Sequence, residues 1–389
     1  VTGGHPLSVL DDVDLLVKNP GIPYENPVVE ESLNRNIPVV TEVELAGHLH
    51  KGPLIAVTGS NGKTTTTTLI HEMIKADEQL VSVAGNIGKV SCEVARSTSH
   101  EETMVVELSS FQLLGTKNFR PDISVLLNLY EAHLDYHGTL ENYHEAKAKI
   151  MANQSDDDTL VYNADDEKIK SYTSRTNANL VAFSIKEKVD GAWADGEWVY
   201  FYDEPVMKID DIVLVGEQNL QNILAAVAAV KVNGISNKAI EEVLKTFTGV
   251  EHRLQYVTEK NGRSFYNDSK ATNILATSYA LRSFKQPVIL LAGGLDRGTT
   301  FESLSPYLSS VKGMVLFGET ADLLKETGEK ANVAKVAKVE GMHEAVQKAY
   351  EMSDSGDVIL LSPACASWDQ YRTFEERGNM FIEAVHKLN

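Results

Sequence analysis

Short apolar runs, each closed by a polar residue or a glycine, recur between amphipathic stretches along most of the chain. The runs at 54–58, 81–84, 104–107 and 123–129 are separated by helical patterns, and that alternation predicts an open parallel sheet. An amphipathic helix is expected from Lys63 to about Lys75, another over 140–152, and one starting at Asn219 that the apolar stretch 223–232 buries. Residues 190–215 alternate aromatic and polar positions around turns, which reads as antiparallel strands on the sheet edge. Another α/β unit begins near Val250, with strands at 288–292, 314–317 and 358–361 and helices at 273–283, 320–327 and 342–352. Ahead of all this, residues 1–42 hold an apolar run at 13–17, a short helix at 28–34 and a strand at 37–40. That is about half of an α/β unit, lacking a first strand and a glycine-rich turn, so its N-terminal part and any ligand loop there are expected to be absent. The fold class is therefore α/β, with domains at 1–42, 43–249 and 250–389, no internal repeat and short joints. A chain of 389 residues is too long for one ordinary core, which agrees.

Composition narrows the partners. With 43% hydrophobic and 23% charged residues the chain reads as soluble and globular. A formal charge of −19 argues against nucleic acid or an anionic membrane surface, both of which need a basic face. An anionic substrate must then be met by local cations, helix termini or a metal. Two cysteines, Cys92 and Cys365, make no disulfide framework, so a reducing compartment fits. No apolar run approaches the roughly 18 residues of a membrane span, no signal peptide precedes Val1, and the expected location is the cytoplasm.

The chemistry centres on Gly59-Ser60-Asn61-Gly62-Lys63-Thr64-Thr65, placed between a buried strand and a helix. Glycines let backbone N–H groups approach a phosphate at a helix N-terminus, Lys63 pairs with the outer phosphates, and the Thr64 hydroxyl is placed for Mg²⁺. The residue five before Gly62 is Val57 rather than the glycine of the general phosphate loop, so this is the shorter form. Ligands of such sheets lie beyond the carboxyl ends of the strands. Asn86, Glu107 and His133, which close successive strands, are thus expected at this loop. Glu107 suits Mg²⁺, or is a cap or surface glutamate. His133 suits a metal or a substrate phosphate, or is an ordinary loop histidine. Lys147, on the helix at 141–150, lies near a site that needs cations, although alone it reads as a solvated lysine. Asn219 and Asn222 share a helix face and can read a purine edge, or simply cap the helix. In the last unit, Arg253, the 267–273 segment, Arg297 and the 362–369 segment bring cations and hydroxyls to strand ends. Together they suit an acidic small substrate held through its carboxylates; singly, each reads equally well as a turn or cap.

The stretches GSNGKTT, ELSSFQL, GEQNLQN, EHRLQ, NDSKATN and SPACASWDQYRTFEERG resemble the motifs of the Mur ligases, ATP-dependent amide-forming enzymes of bacterial cell-wall precursor synthesis. The resemblance runs over essentially the whole chain. NDSKATN and SPACASWDQYRTFEERG point within the family to the D-glutamate-adding member, and the Asp-Asn-Pro-Arg signature of the diamino-acid-adding member does not occur. The resemblance implies a partial uridine-nucleotide-binding domain (1–42), a central ATP-binding domain with a phosphate-loop parallel sheet (43–249) and a Rossmann-like amino-acid-binding domain (250–389). It implies ATP, two Mg²⁺ ions, UDP-N-acetylmuramoyl-L-alanine and D-glutamate as substrates, an acyl-phosphate intermediate, and a monomer. Carried over by position, Gly59, Asn61, Gly62, Lys63, Thr64 and Thr65 bind ATP with Asn219 and Asn222 (adenine), Arg253 (phosphate) and Asp268 (ribose). Thr64, Glu107, His133 and Lys147 hold metal, Lys147 as a carbamate. Lys63, Glu107, His133, Lys147 and Arg253 form the catalytic set. Asn86, Ser109, Gln112 and His133 fall beside the uridine-linked substrate; Lys270, Thr272, Arg297, Ser367 and Phe374 fall where phosphate and D-glutamate are held. Gln218 stands where the family often has histidine, and Arg297 where some members have lysine. Rival readings are a folylpolyglutamate synthetase-like ligase, a non-catalytic nucleotide-binding module and a simple kinase.

Overall fold

Strands buried on both faces need helices above and below, and the first half of the chain supplies them in alternation. The computed structural model describes residues 4 and 6–388; the ends of the expected first and last domains, residues 1–3, 5 and 389, lie outside the described residues. A two-stranded parallel sheet comes first, from β1 (Leu16–Val17) and β2 (Val39–Val40), linked by α1 (Pro27–Asn34). The Asn26 side chain accepts the Val28 N–H and Pro27 takes the first turn, a preorganised helix start.

After α2 (Glu42–Leu49) come β3 (Leu54–Thr58), α3 (Lys63–Ala76), β4 (Val81–Gly85), α4 (Ser91–Ala95), β5 (Thr103–Glu107), α5 (Ser110–Leu114) and β6 (Ile123–Leu126). The chain continues through α6 (Leu134–His137), α7 (Leu140–Ala148), β7 (Thr159–Asn163), α8 (Glu167–Thr173) and β8 (Asn179–Ser184). Then β9 (Gly191–Ala194), β10 (Trp198–Phe201) and β11 (Glu204–Lys208) precede α9 (Glu217–Val232) and α10 (Asn237–Thr246). These strands form one nine-stranded sheet in the order β11-β10-β9-β8-β7-β6-β3-β5-β4. Pairing is parallel from β4 to β9, and β10 and β11 are antiparallel at the edge, as the aromatic–polar alternation predicts. Every residue of β3, β5 and β6 is buried. Register sets Val57 of β3 beside Glu107 of β5, and Thr58 beside Leu126 of β6. The loops after β3, β5 and β6 therefore leave the sheet side by side.

The other sheet has the order β12-β13-β17-β14-β15-β16, with β12 (Gln255–Lys260) and β13 (Arg263–Asn267) an antiparallel hairpin. The remaining pairs, among β13, β14 (Val288–Gly293), β15 (Val311–Phe317), β16 (Lys335–Lys338) and β17 (Val358–Leu361), are parallel. One core joins Leu290, Met314 and Leu360 to Leu281 and Leu324, which lie on α11 (Ile274–Arg282) and α12 (Ala321–Lys330). The opposite core joins Ile289, Val315 and Ile359 to Met342 and Phe381, on α13 (Met342–Met352) and α14 (Phe374–Lys387).

By compactness the chain divides into two units, Val1–Val213 with Gln218–Thr246, and Leu214–Glu217 with Phe247–Asn389. The first unit includes the small β1–β2 sheet, and the main stretch of the second begins at Phe247. Among the described residues, no helix is long and apolar enough to cross a membrane.

Candidate active site

In the first unit the Gly59–Gly62 turn opens α3. Gly62 adopts φ +82°, a left-handed conformation natural to glycine, and a Cβ there would fall 2.1 Å from Asn222 Oδ1. That near-contact places Asn222 directly against the turn, with Asn219 Oδ1 3.5 Å from its Nδ2. The turn is braced from the sheet. The Asn61 N–H donates to Asn128 Oδ1 (2.8 Å), Asn128 Nδ2 donates to Asn61 O (3.1 Å), and the Tyr143 hydroxyl bonds Ser60 Oγ (3.0 Å). Thr64 and Thr65 are buried in the first turn of α3.

Two ammonium groups converge on the same carbonyl: Lys63 Nζ donates to Gly59 O (2.9 Å) and Ser60 O (3.1 Å), and Lys147 Nζ donates to Gly59 O (2.7 Å). Lys147 is 1% exposed, so the solvated-lysine alternative does not hold. Burial, then the Lys63 charge, holds its pKa well below the ordinary lysine value, while Glu107 pulls the other way. Its Nζ also lies 4.9 Å from the Tyr143 ring centre.

Glu107 is 1% exposed at the end of β5. One carboxylate oxygen, Oε1, accepts from Asn86 Nδ2 (2.7 Å); the other, Oε2, is buried and has no hydrogen-bond partner. A buried carboxylate oxygen left unpaired is costly, and a hard cation is the partner it fits. His133 has φ +54° at the start of α6 and packs edge-on against Phe111, ring centres 4.9 Å apart. Desolvation, then the charges of Lys147 and Lys63, lowers its pKa against the opposing pull of Asp135. Among the described residues no group of three or more His, Cys, Asp or Glu makes an all-protein metal cage. Mg²⁺ does not need one, since water and phosphate oxygens usually complete its shell.

Ser109 and Gln112 form a reciprocal capping box on α5: Gln112 Oε1 accepts the Ser109 N–H (2.9 Å), and the Gln112 N–H donates to Ser109 Oγ (3.3 Å). Gln112 is buried in that role. Asn86 is exposed beside Glu107.

In the second unit Arg253, Asp268, Lys270, Thr272 and Phe374 line a cavity of ≈ 320 Å³. Arg253 Nε is buried there without a partner, which suits an anion. Lys270 Nζ sits 5.5 Å from the Phe374 ring centre. Asp268 is buried; its oxygens accept the Leu254 N–H (3.1 Å) and the Ser362 hydroxyl (2.9 Å), and burial pushes its pKa up to about 7. Arg297 is exposed over the Trp368 ring (4.8 Å) and Ser367 is buried beside it in sequence; neither lines that cavity.

Comparison with known proteins decides the family. Residues 57–230 match the model of the Mur ligase middle domain and residues 252–365 that of the Mur ligase glutamate ligase domain. The whole chain is 58% identical to the UDP-N-acetylmuramoylalanine--D-glutamate ligase of Geobacillus kaustophilus and 54% identical to that of Bacillus subtilis, covering 87% of each. The chain belongs to the Mur ligase family.

Solved Mur ligases share the fold. The MurF ligase of Thermotoga maritima in complex with ADP aligns with TM-score 0.64 at 20% identity, over 97% of this chain and 95% of that one. MurC, the UDP-N-acetylmuramate-alanine ligase of the same organism, aligns with TM-score 0.63 at 20% identity, over 98% and 87%. Of the residues that the Mur ligase motifs single out, the first unit gathers Lys63, Thr64, Glu107, His133, Lys147 and Asn222 around one turn. Sequence reasoning passed over Asn128, a polar residue within the apolar run 123–129, and Tyr143, one turn before Lys147. Both brace the phosphate loop.

Proposed function

We propose that this Mur ligase joins D-glutamate to UDP-N-acetylmuramoyl-L-alanine with hydrolysis of ATP to ADP and phosphate, in cytoplasmic precursor synthesis of the cell wall. The observation that carries the reading is the meeting of an unpartnered Glu107 oxygen and a buried Lys147, its pKa lowered by burial and the Lys63 charge, at the Gly59–Gly62 turn. The names of relatives more than half identical over the whole chain support D-glutamate as the amino acid.

Backbone N–H groups of the turn and the start of α3 hold the triphosphate, and Lys63 offsets charge on its outer oxygens. The acid's carboxylate oxygen attacks the terminal phosphorus and the bond to the ADP oxygen breaks, giving an acyl phosphate. The D-glutamate amine adds to the acyl carbon, loses its proton, and the tetrahedral adduct expels phosphate as the amide forms. Magnesium, when bound, supplies charge neutralisation at the phosphate oxygens, with Thr64, Glu107, His133 and carbamylated Lys147 as the residues that would hold two ions. The low proton affinity of Lys147 favours that carbamate, because only the neutral amine adds to CO₂, releasing a proton and leaving an anion. Asn219 and Asn222 are assigned to adenine. Arg253, Asp268, Lys270, Thr272 and Phe374 are assigned, with Arg297 and Ser367, to nucleotide phosphate, ribose and the amino acid's carboxylates.

The test is phosphate release with UDP-N-acetylmuramoyl-L-alanine and D-glutamate, L-glutamate or L-lysine in parallel, and with folate and L-glutamate beside them. Release with D-glutamate alone, matched by amide product, is expected. A preference for folate with L-glutamate, or ATP binding with no acceptor-dependent release, would remove the assignment.

A further inference from the structure

Lys18, directly after β1, is only 4% exposed, yet no carboxylate lies within ion-pair distance of it among the described residues. Its Nζ donates to Ile22 O (2.9 Å), Pro20 O (3.2 Å) and the Tyr136 hydroxyl (3.2 Å), with the Tyr24 ring centre 4.6 Å away. Its own backbone N–H is tied to Val40 O (2.9 Å). Tyr136 Oη in turn lies 3.1 Å from both Pro20 O and Ile22 O. An ammonium buried without a counter-ion is unfavourable, and an apolar side chain would fill the space at less cost. What the ammonium does instead is knit the 20–22 turn to a residue far along the chain.

That residue sits on α6, which has four residues and begins and ends on left-handed backbone, φ +54° at His133 and +74° at Gly138. So short a helix cannot orient His133 by itself. Side chains do so: the Tyr136 ring meets Phe111 edge-on at 4.6 Å, and Phe111 meets His133 edge-on at 4.9 Å. The contacts run without a break from Lys18 through Tyr136 and Phe111 to His133.

We propose that Lys18 and Tyr136 are positioning residues that lock the 20–22 turn to the α6 segment and thereby hold His133 toward the phosphate loop. The role in catalysis rests on the ligase reading; the mechanical coupling does not. Burial lowers the Lys18 pKa to about 8 and, with Tyr24 and Glu25 adding to it, raises that of Tyr136 to about 12. The phenol therefore keeps its proton, and Lys18 retains donors for the two carbonyls in either charge state.

Two readouts on the whole chain test this with Lys18→Met and Tyr136→Phe. Amide hydrogen exchange should quicken about tenfold at both 19–24 and 133–138 in either variant, with α3 and the second unit unchanged. Quickening confined to the substituted side overturns the coupling. In the ligase assay the KM for the uridine-linked acid should rise about tenfold while those for ATP and D-glutamate hold, with Lys18→Arg restoring most of the loss. An unchanged KM for that acid overturns the positioning role. If the unsubstituted chain releases no acceptor-dependent phosphate, the ligase reading fails while the exchange arm still decides the coupling. Should Lys18→Met not fold, Tyr136→Phe, which removes one hydroxyl, carries both arms.

Discussion

Among the described residues two cations are no more than 1% exposed, one in each unit, and they are buried in opposite ways. Arg377, 0% exposed on α14, has its donors engaged: Nε on Ser269 Oγ (3.0 Å), Nη2 on Ser269 O (2.9 Å) and Cys365 O (3.0 Å), Nη1 on Gly293 O (3.4 Å). Burial lowers its pKa only to about 10, so it stays charged and staples three loops of the second sheet together. Among the described residues Lys147 Nζ makes one hydrogen bond, to a carbonyl that Lys63 shares, and burial with the Lys63 charge holds its pKa well below the ordinary lysine value. Saturated donors make a permanent strut. Undersaturated ones beside another cation make an amine that holds its proton less tightly, which favours nucleophilic capture of CO₂.

The largest effect that could break this contrast is on Lys147. Lys147→Ala should lower ligase activity by about 10⁴-fold while short carboxylic acids restore part of it, and melting should remain cooperative. Full activity in that variant would make Lys147 a strut like Arg377. Next in size, Arg377→Met leaves buried carbonyls unpaired and should cost about 3–5 kcal/mol in urea unfolding, with Arg377→Lys recovering a part. No loss there would mean the staple is dispensable. Glu107→Gln keeps an acceptor for Asn86 but removes the charge, and should lower activity about 10²-fold and raise the Mg²⁺ concentration needed, with stability held.

The smallest effect sharpens the contrast from the anionic side. Asp268 is the buried carboxyl counterpart of Lys147, pushed toward its neutral form, with a pKa of about 7 against about 3.9 in an unfolded chain. Between these values the folded state binds more protons than the unfolded one. Its contribution to stability is therefore complete below about pH 4 and is lost as pH rises toward 7. Urea titrations across that window should show the slope, and Asp268→Asn should flatten it.

Much of this was readable in advance, for physical reasons that differ by element. β3, β5 and β17 are buried on both faces and so appear as unbroken apolar runs; the Gly-Lys-Thr turn declares itself because only glycine accepts φ +82° there. β12, with its partly exposed pattern, and β8, which begins on exposed residues, carry no such signal. α14 was missed although its buried stripe, Arg377, Gly378, Phe381, Ala384 and Val385, has helical spacing: a charged residue stands where an apolar one is expected. Lys18 escaped for the same reason, since nothing local distinguishes a buried lysine from a solvated one. Ser109 and Gln112 were read as substrate neighbours, and the capping box that occupies them was itself visible in their spacing.

The central claim is that the acid is activated as an acyl phosphate at the Gly59–Gly62 turn. It is tested most directly by following heavy oxygen from a labelled alanyl carboxylate of the uridine-linked substrate during D-glutamate-dependent turnover. Attack by that carboxylate on the terminal phosphorus places one of its oxygens in each phosphate released. Phosphate emerging free of label while amide accumulates would contradict the account.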